Sequence, residues 1–106
     1  MPYILSMEHN VIHEPDAHRF IVRELGHEAY LLYYELPDKV LDYAETQTPN
    51  EIRGRGIATA LIRFALGYAR DNGYRIVPRC SFVSTYIDRH HEYADLVAER
   101  PVPRWE

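Results

Sequence analysis

Residues 51–59 read Glu51-Ile52-Arg53-Gly54-Arg55-Gly56-Ile57-Ala58-Thr59, and the strongest helical pattern of the chain follows at once. Two glycines two positions apart let the backbone take angles that side chains forbid, so successive N–H groups can converge on one spot. The helix behind them adds unpaired N–H donors and the positive end of its dipole. A phosphate suits such a place, and Arg53 and Arg55 set full charges beside the partial ones. Residue identities exclude two common phosphate loops. A P-loop needs Gly-Lys-Ser/Thr after a four-residue gap, which is absent, and G-x-G-x-x-G needs glycine where Thr59 stands. A plainer reading stands beside the anion cradle: a glycine-rich turn that only starts a helix.

Downstream, Gly56 to Asn72 carries Ile57, Leu61, Phe64, Ala65, Tyr68 and Ala69 at helical spacing, which predicts one apolar stripe against a sheet. Asn72-Gly73 is the expected stop. Tyr74 to Arg79 reads as a strand, which must run parallel to the one before the loop because the helix carries the chain back. Pro78 predicts that it leaves its ladder early. After Cys80 a second helical pattern spans Ser81 to His90, with Phe82, Val83, Tyr86 and Ile87 on one side, followed by a shorter stretch over 91–99. Residues 100–106 are too rich in proline for regular structure and form a tail.

Upstream, three runs read as strands: Arg19–Leu25, Glu28–Leu36 and Lys39–Gln47. The links at Gly26-His27 and Pro37-Asp38 are short, so the three form an antiparallel meander. Residues 1–18 hold Pro2, Pro15 and no sustained period, predicting a loosely ordered lead-in with at most one short strand. His9, His13 and His18 raise the question of a metal. No cysteine or carboxylate cluster completes a ligand set, so no metal site is expected and the histidines read as solvent-facing.

The bulk properties narrow the function. A chain of 106 residues makes one small domain, here 19–99 between lead-in and tail. Twelve basic against sixteen acidic residues give a net charge of −4, which argues against nucleic acid as a partner. The single cysteine rules out an internal disulfide framework, and no run approaches the roughly 18 apolar residues of a membrane span, so a cytoplasmic protein without a membrane partner is expected. Tyrosine-rich strands leave both a monomer and a weak homodimer open.

Arg53, Gly56 and Ala58 spell R-x-x-G-x-A, and that pattern resembles the pyrophosphate loop of the GNAT acetyltransferases, which hold acetyl-CoA. The stretch TQTPNEIRGRGIATALIRFALGYARDNGYRIVPRC followed by FVSTYIDRH looks like a minimal, single-domain GNAT-like family with the blocks T-E-V-P, R-G-K-G-I-A, A-R, V-P-x-C and R-H-P-x-Y. The likeness covers roughly residues 19–97. It implies an α/β fold of three antiparallel strands, glycine-rich loop, helix, a fourth strand parallel to the third, and a C-terminal helix. It also implies that the third and fourth strands splay, leaving an opening for pantetheine.

On that resemblance, acetyl-CoA is the co-substrate and no metal takes part. Its pantetheine amides would pair along Thr46, Gln47 and Thr48, and its pyrophosphate would sit on Arg53, Gly54, Arg55, Gly56, Ile57, Ala58 and Thr59. The reaction implied is acetyl transfer from the CoA thioester to an amine of a small molecule or a protein lysine. Tyr86 stands where the family carries its acid, and His90 or Glu45 is the base. Cys80 matches the family's cysteine at the end of the last strand. It reads either as a thiol beside the acetyl group or as a small buried apolar residue, and Tyr86 either as an acid or as core packing. Gln47 departs from the family's Glu and cannot work by deprotonation, and His91 replaces a Pro. So short a chain also implies an acceptor site that is open, shared with a partner, or poor. The rival is an acetyl-CoA-binding sensor or interaction module without catalysis.

Overall fold

The computed structural model describes residues 9–98. The lead-in before His9 and the tail expected at 100–106 lie outside the described residues. One five-stranded sheet carries two helices. Strands β1 (Ile12–Glu14), β2 (Arg19–Glu24), β3 (His27–Leu36) and β4 (Val40–Gln47) precede the loop, then come α1 (Ile57–Asp71), β5 (Arg75–Val77) and α2 (Ser81–Arg89). A 3-10 segment, His91–Leu96, closes the described chain. The strands lie in sequence order, antiparallel through β4, with β5 parallel to β4. The four main strands and both helices expected from the sequence are therefore present, and β1 is the short strand of the lead-in.

Turn chemistry sets the register. Glu24 faces His27, so Leu25 and Gly26 alone make the first hairpin turn, both at positive φ, as a two-residue turn of this hand requires. Between β3 and β4 the register shifts. Leu32 faces Glu45 while Tyr33 faces Tyr43, which leaves Ala44 as the extra residue of a β-bulge. The bulge exchanges faces along β4. Before it, Leu41 and Tyr43 point into the helix layer, and the Tyr43 hydroxyl donates to the Ala65 carbonyl of α1. Beyond it Thr46, opposite the buried Leu31, faces that layer, and Glu45 is exposed on the far face.

Helix α1 is docked by Ile57, Leu61, Ile62, Ala65, Leu66 and Ala69, all buried. The stripe expected from the sequence is thus rotated. Ile62 and Leu66 are core, whereas Phe64 is 43% exposed and Tyr68 half-buried. The reason is an aromatic margin over β2, where Phe20 meets Phe64 and Tyr68 edge-on at 5.7 and 5.5 Å. These rings gain more by closing over Phe20 than by entering a core already filled with aliphatics.

Of the three histidines expected to face solvent, His18 is exposed, but His9 and His13 are half-buried. His13 stacks on Phe20 at 4.5 Å, and its Nε2 lies 2.6 Å from the Tyr33 hydroxyl. Burial lifts the Tyr33 phenol to about 12, so it keeps its proton and donates to the imidazole. Burial holds His13 below its ordinary value; Glu35 pulls it up and His18 pushes it further down. The unfolded chain therefore takes up the proton first. The stability tied to a neutral His13 is complete above the ordinary histidine value of 6.5 and is lost as the pH falls through and below it. In urea unfolding at about pH 7.5 and about pH 5.5, the gap between parent and His13→Phe should move in the variant's favour at the lower pH. A gap that ignores pH would remove His13 from this account.

Candidate active site

The site begins where β4 and β5 part. Their ladder has three pairs, ending at Asp42 and Val77. Pro78 follows and has no N–H to continue it. Arg79 then reaches back to Asp42 with Nε and Nη2 at 2.9–3.2 Å, and the Cys80 amide donates to the Tyr43 carbonyl at 2.9 Å. Past that bond the chain enters α2, and β4 from Ala44 to Gln47 pairs only with β3. One side of this β4 segment is therefore an open strand edge, as the splay expected from the sequence requires.

At the end of this edge lies an open depression of ≈ 540 Å³, lined by Thr46, Gln47, Thr48, Arg53, Gly54 and Gly56, with Ile57, Ala58 and Thr59 from the start of α1. Ile52 and Phe82 complete it. Gly54 and Gly56 have φ of +78° and +79°, and a Cβ built on either meets nothing within 4 Å. The cradle is thus held open by conformation rather than by crowding. Arg53 Nε donates to the Thr48 carbonyl at 3.1 Å, which fastens the loop to the end of β4.

Of the ten residues expected to hold CoA, nine line this depression. Arg55 lines a second one with His9, Arg63, Phe64 and Tyr93. The Arg55 guanidinium stands 3.9 Å from Glu24, His9 Nε2 lies 2.7 Å from the Arg55 carbonyl, and His9 Nδ1 lies 2.7 Å from the Glu24 carboxylate. His9 thus ties the loop backbone to β2, a contact between residues 46 apart that local sequence does not announce.

The three residues expected to do chemistry fall into two places. Cys80 is buried, with Sγ 3.3 Å from Thr46 Oγ1, at the inner end of the open edge. Tyr86 and His90 stack on each other, rings 3.8 Å apart and 11° from parallel. Tyr86 lies six positions after Cys80, about 9 Å along the α2 axis. His90 Nδ1 donates to the Tyr86 carbonyl at 2.9 Å, so in the neutral imidazole the lone pair falls on Nε2. Burial, with a smaller push from Tyr93, raises the Tyr86 phenol above the ordinary tyrosine value, against the pull of Arg63. Tyr86 therefore holds its proton at neutral pH. Glu45 accepts a 3.2 Å bond from the Tyr30 hydroxyl on the outer face of the sheet.

Phe82 is 60% exposed at the mouth of the depression, a position that its place on the second helix's apolar side does not announce. The usable signal was the i, i+4, i+8 row Phe82–Tyr86–His90 on α2.

Among the described residues no helix is long and apolar enough to cross a membrane, and no group of three His, Cys, Asp or Glu forms a metal-binding cluster. The model of the family described as GCN5-related N-acetyl-transferase matches residues 19–96. The chain is 30% identical to Protein NATD1 of Gallus gallus over 97 residues, covering 90% of this chain and 79% of that one. NATD1 of Homo sapiens is 30% identical over 97 residues, with 90% and 77% covered. The solution structure of a GCN5-like protein from Staphylococcus aureus superposes with a TM-score of 0.66 at 18% identity, covering 91% of this chain and 94% of that one. A ribosomal-protein-alanine N-acetyltransferase from Brucella melitensis biovar Abortus 2308 shares the fold at a TM-score of 0.53 and 20% identity, with 83% and 68% covered. With the family's loop, splayed strands and helices all in place, this chain belongs to the GCN5-related N-acetyltransferases.

Proposed function

We propose that the protein binds acetyl-CoA and moves its acetyl group to an amine, on a small molecule or a protein lysine, in the cytoplasm. The observation that carries this reading is the continuity of one groove: the Gly54–Gly56 cradle opens onto the free edge of β4, and that edge runs to Cys80. Pantetheine amides would pair with β4 near Thr46–Thr48 as an added strand does. Pyrophosphate would rest on the α1 N-terminus and the Arg53 guanidinium.

In the transfer the amine nitrogen bonds to the thioester carbonyl carbon, the C–S bond breaks, and the amine's proton leaves for a base. The thiolate takes a proton in turn. Tyr86, a phenol that burial shifts further up, is the acid, and His90 Nε2 receives the amine proton through water. Cys80 lines the acetyl end of the groove. Glu45 is the second candidate base, reached from the other face of the sheet. A module that binds acetyl-CoA without turnover is the alternative, and it is favoured by Gln47 and by the separation of Cys80 from the Tyr86–His90 pair.

Calorimetry with acetyl-CoA, joined to thiol release with a panel of amines and a lysine-rich peptide, tests the reading. Binding with amine-dependent thiol release is the expected result; binding without release supports the module, and no binding removes both. Gly56→Glu should abolish acetyl-CoA binding while the fold survives, since the side chain enters open space at a backbone cost of about 1–2 kcal/mol. A folded variant with parental affinity would refute the cradle. Tyr86→Phe should lower kcat roughly 100-fold with little change in KM for acetyl-CoA, and Cys80→Ala should slow turnover less. If kcat stays at the parental value in both, the acid and the groove's inner end are assigned wrongly.

A further inference from the structure

We infer that His9, as the imidazolium, is a positioning residue for co-substrate binding: it donates to Glu24 on β2 and to the Arg55 carbonyl in the glycine-rich loop, and so aims the Gly56 amide. This rests on the proposed acetyl-CoA reading of the first depression. Both ring nitrogens of His9 stand 2.7 Å from an oxygen, Nδ1 from Glu24 Oε2 and Nε2 from the Arg55 carbonyl. A neutral imidazole has one N–H and one lone pair, so it would satisfy one contact and set its lone pair against the other oxygen. The imidazolium donates at both. The His9 side chain is only 13% exposed, which leaves water little access to either contact. Glu24 Oε1 is buried with no hydrogen-bond partner among the described residues, so the imidazole is what bonds that carboxylate, with the Arg55 guanidinium 3.9 Å away.

Peptide geometry carries the effect into the loop. Across a trans peptide the C=O and N–H point to opposite sides, and no described peptide bond is cis. Holding the Arg55 carbonyl on His9 therefore turns the N–H of the same unit, that of Gly56, away from His9. Gly56 lines both depressions and His9 only the second. The Gly56 amide has no backbone acceptor among the described residues, so it remains available to an anion over the cradle. Glycine at φ +79° lets this peptide unit turn over at little cost, so its orientation needs a tether. Among the described residues, His9 is the side chain that bonds to the Arg55 carbonyl. The charged and titratable groups around the ring are Glu24 from β2, Arg55 from the loop, and Arg63 of α1 and Tyr93 of the 3-10 segment, which share its depression. Histidine changes charge between about pH 5 and 8, so the tether should be complete in the lower part of that range and half-made in the upper part.

Calorimetry with acetyl-CoA at about pH 6 and about pH 8, on the parent and on His9→Gln, separates this inference from the reading beneath it. Glutamine cannot change charge, and the ratio of the two affinities cancels the titration of the ligand's own phosphates. His9→Gln should bind about ten-fold more weakly than the parent at the lower pH and within about two-fold of it at the higher. His18→Gln, at an exposed histidine away from the loop, should match the parent at both. Nitrogen-15 spectra of the parent's assigned histidine rings should show both His9 nitrogens protonated at the lower pH, a reading that stands even if His9→Gln loses the fold. Parental affinity in a folded His9→Gln, a deficit of equal size at both pH values, or a neutral His9 ring at the lower pH would each overturn the inference with acetyl-CoA binding intact. If the parent does not bind acetyl-CoA, the proposed function falls and takes this inference with it.

Discussion

The brevity of the β4–β5 ladder is the constraint on which the rest of the molecule turns. A parallel pair of full length would bury the edge of β4, and no groove would exist. Three features stop it early: Pro78 lacks a donor, Arg79 is held back on Asp42, and the Cys80 amide spends itself on Tyr43. The chain can then start α2 instead of continuing as strand. The bulge at Ala44 acts on the same few residues, because it turns Thr46 toward the helix layer and into reach of the Cys80 thiol. The splay and the bulge together decide which β4 groups face the groove.

Packing holds this geometry rigid from below. Tyr43 sits directly under the point of splay and is anchored to the middle of α1 through its hydroxyl, so the sheet and the loop-bearing helix are fixed to each other where precision matters. Farther along, Arg70 reaches from the last turn of α1 to Asp95 and to the Glu92 carbonyl, tying the 3-10 segment to the helix. The carboxyl of Asp95 is held below its ordinary value by that guanidinium, a modest effect on an exposed pair. Val97 and Ala98 then return beside β5, where the Ala98 amide donates to Ile76.

The sequence exposed those parts of the fold whose causes are local. Glycine at positive φ, a proline inside a strand, and an apolar period of 3.6 are statements about a few neighbouring residues, and the loop, the early end of β5 and α1 follow from them. The bulge was invisible because Ala44 carries no special backbone demand; it arises from matching β4 to β3. His9 was misread for the same reason. Its partners, Glu24 and the Arg55 carbonyl, come from distant stretches, and a lone histidine in a proline-bearing segment gives no hint of them. The rotation of the α1 stripe likewise depended on Phe20, which only tertiary structure sets beneath Phe64 and Tyr68. Cys80, Tyr86 and His90 are close in sequence, but helical geometry spreads them, so nearness along the chain overstated their grouping.

The open edge of β4 has another side. Unpaired N–H and C=O groups in a row invite any extended peptide, including the same strand of a second molecule. Here the exposed stretch is only a few residues long, polar at Thr46, Gln47 and Thr48, and cut off by Pro49, and α2 begins beside its other end. Those limits leave room for a narrow ligand bearing a pair of amides and too little for a lengthening sheet. The same brevity that opens the groove thus guards the protein against self-templated aggregation while the groove stands empty.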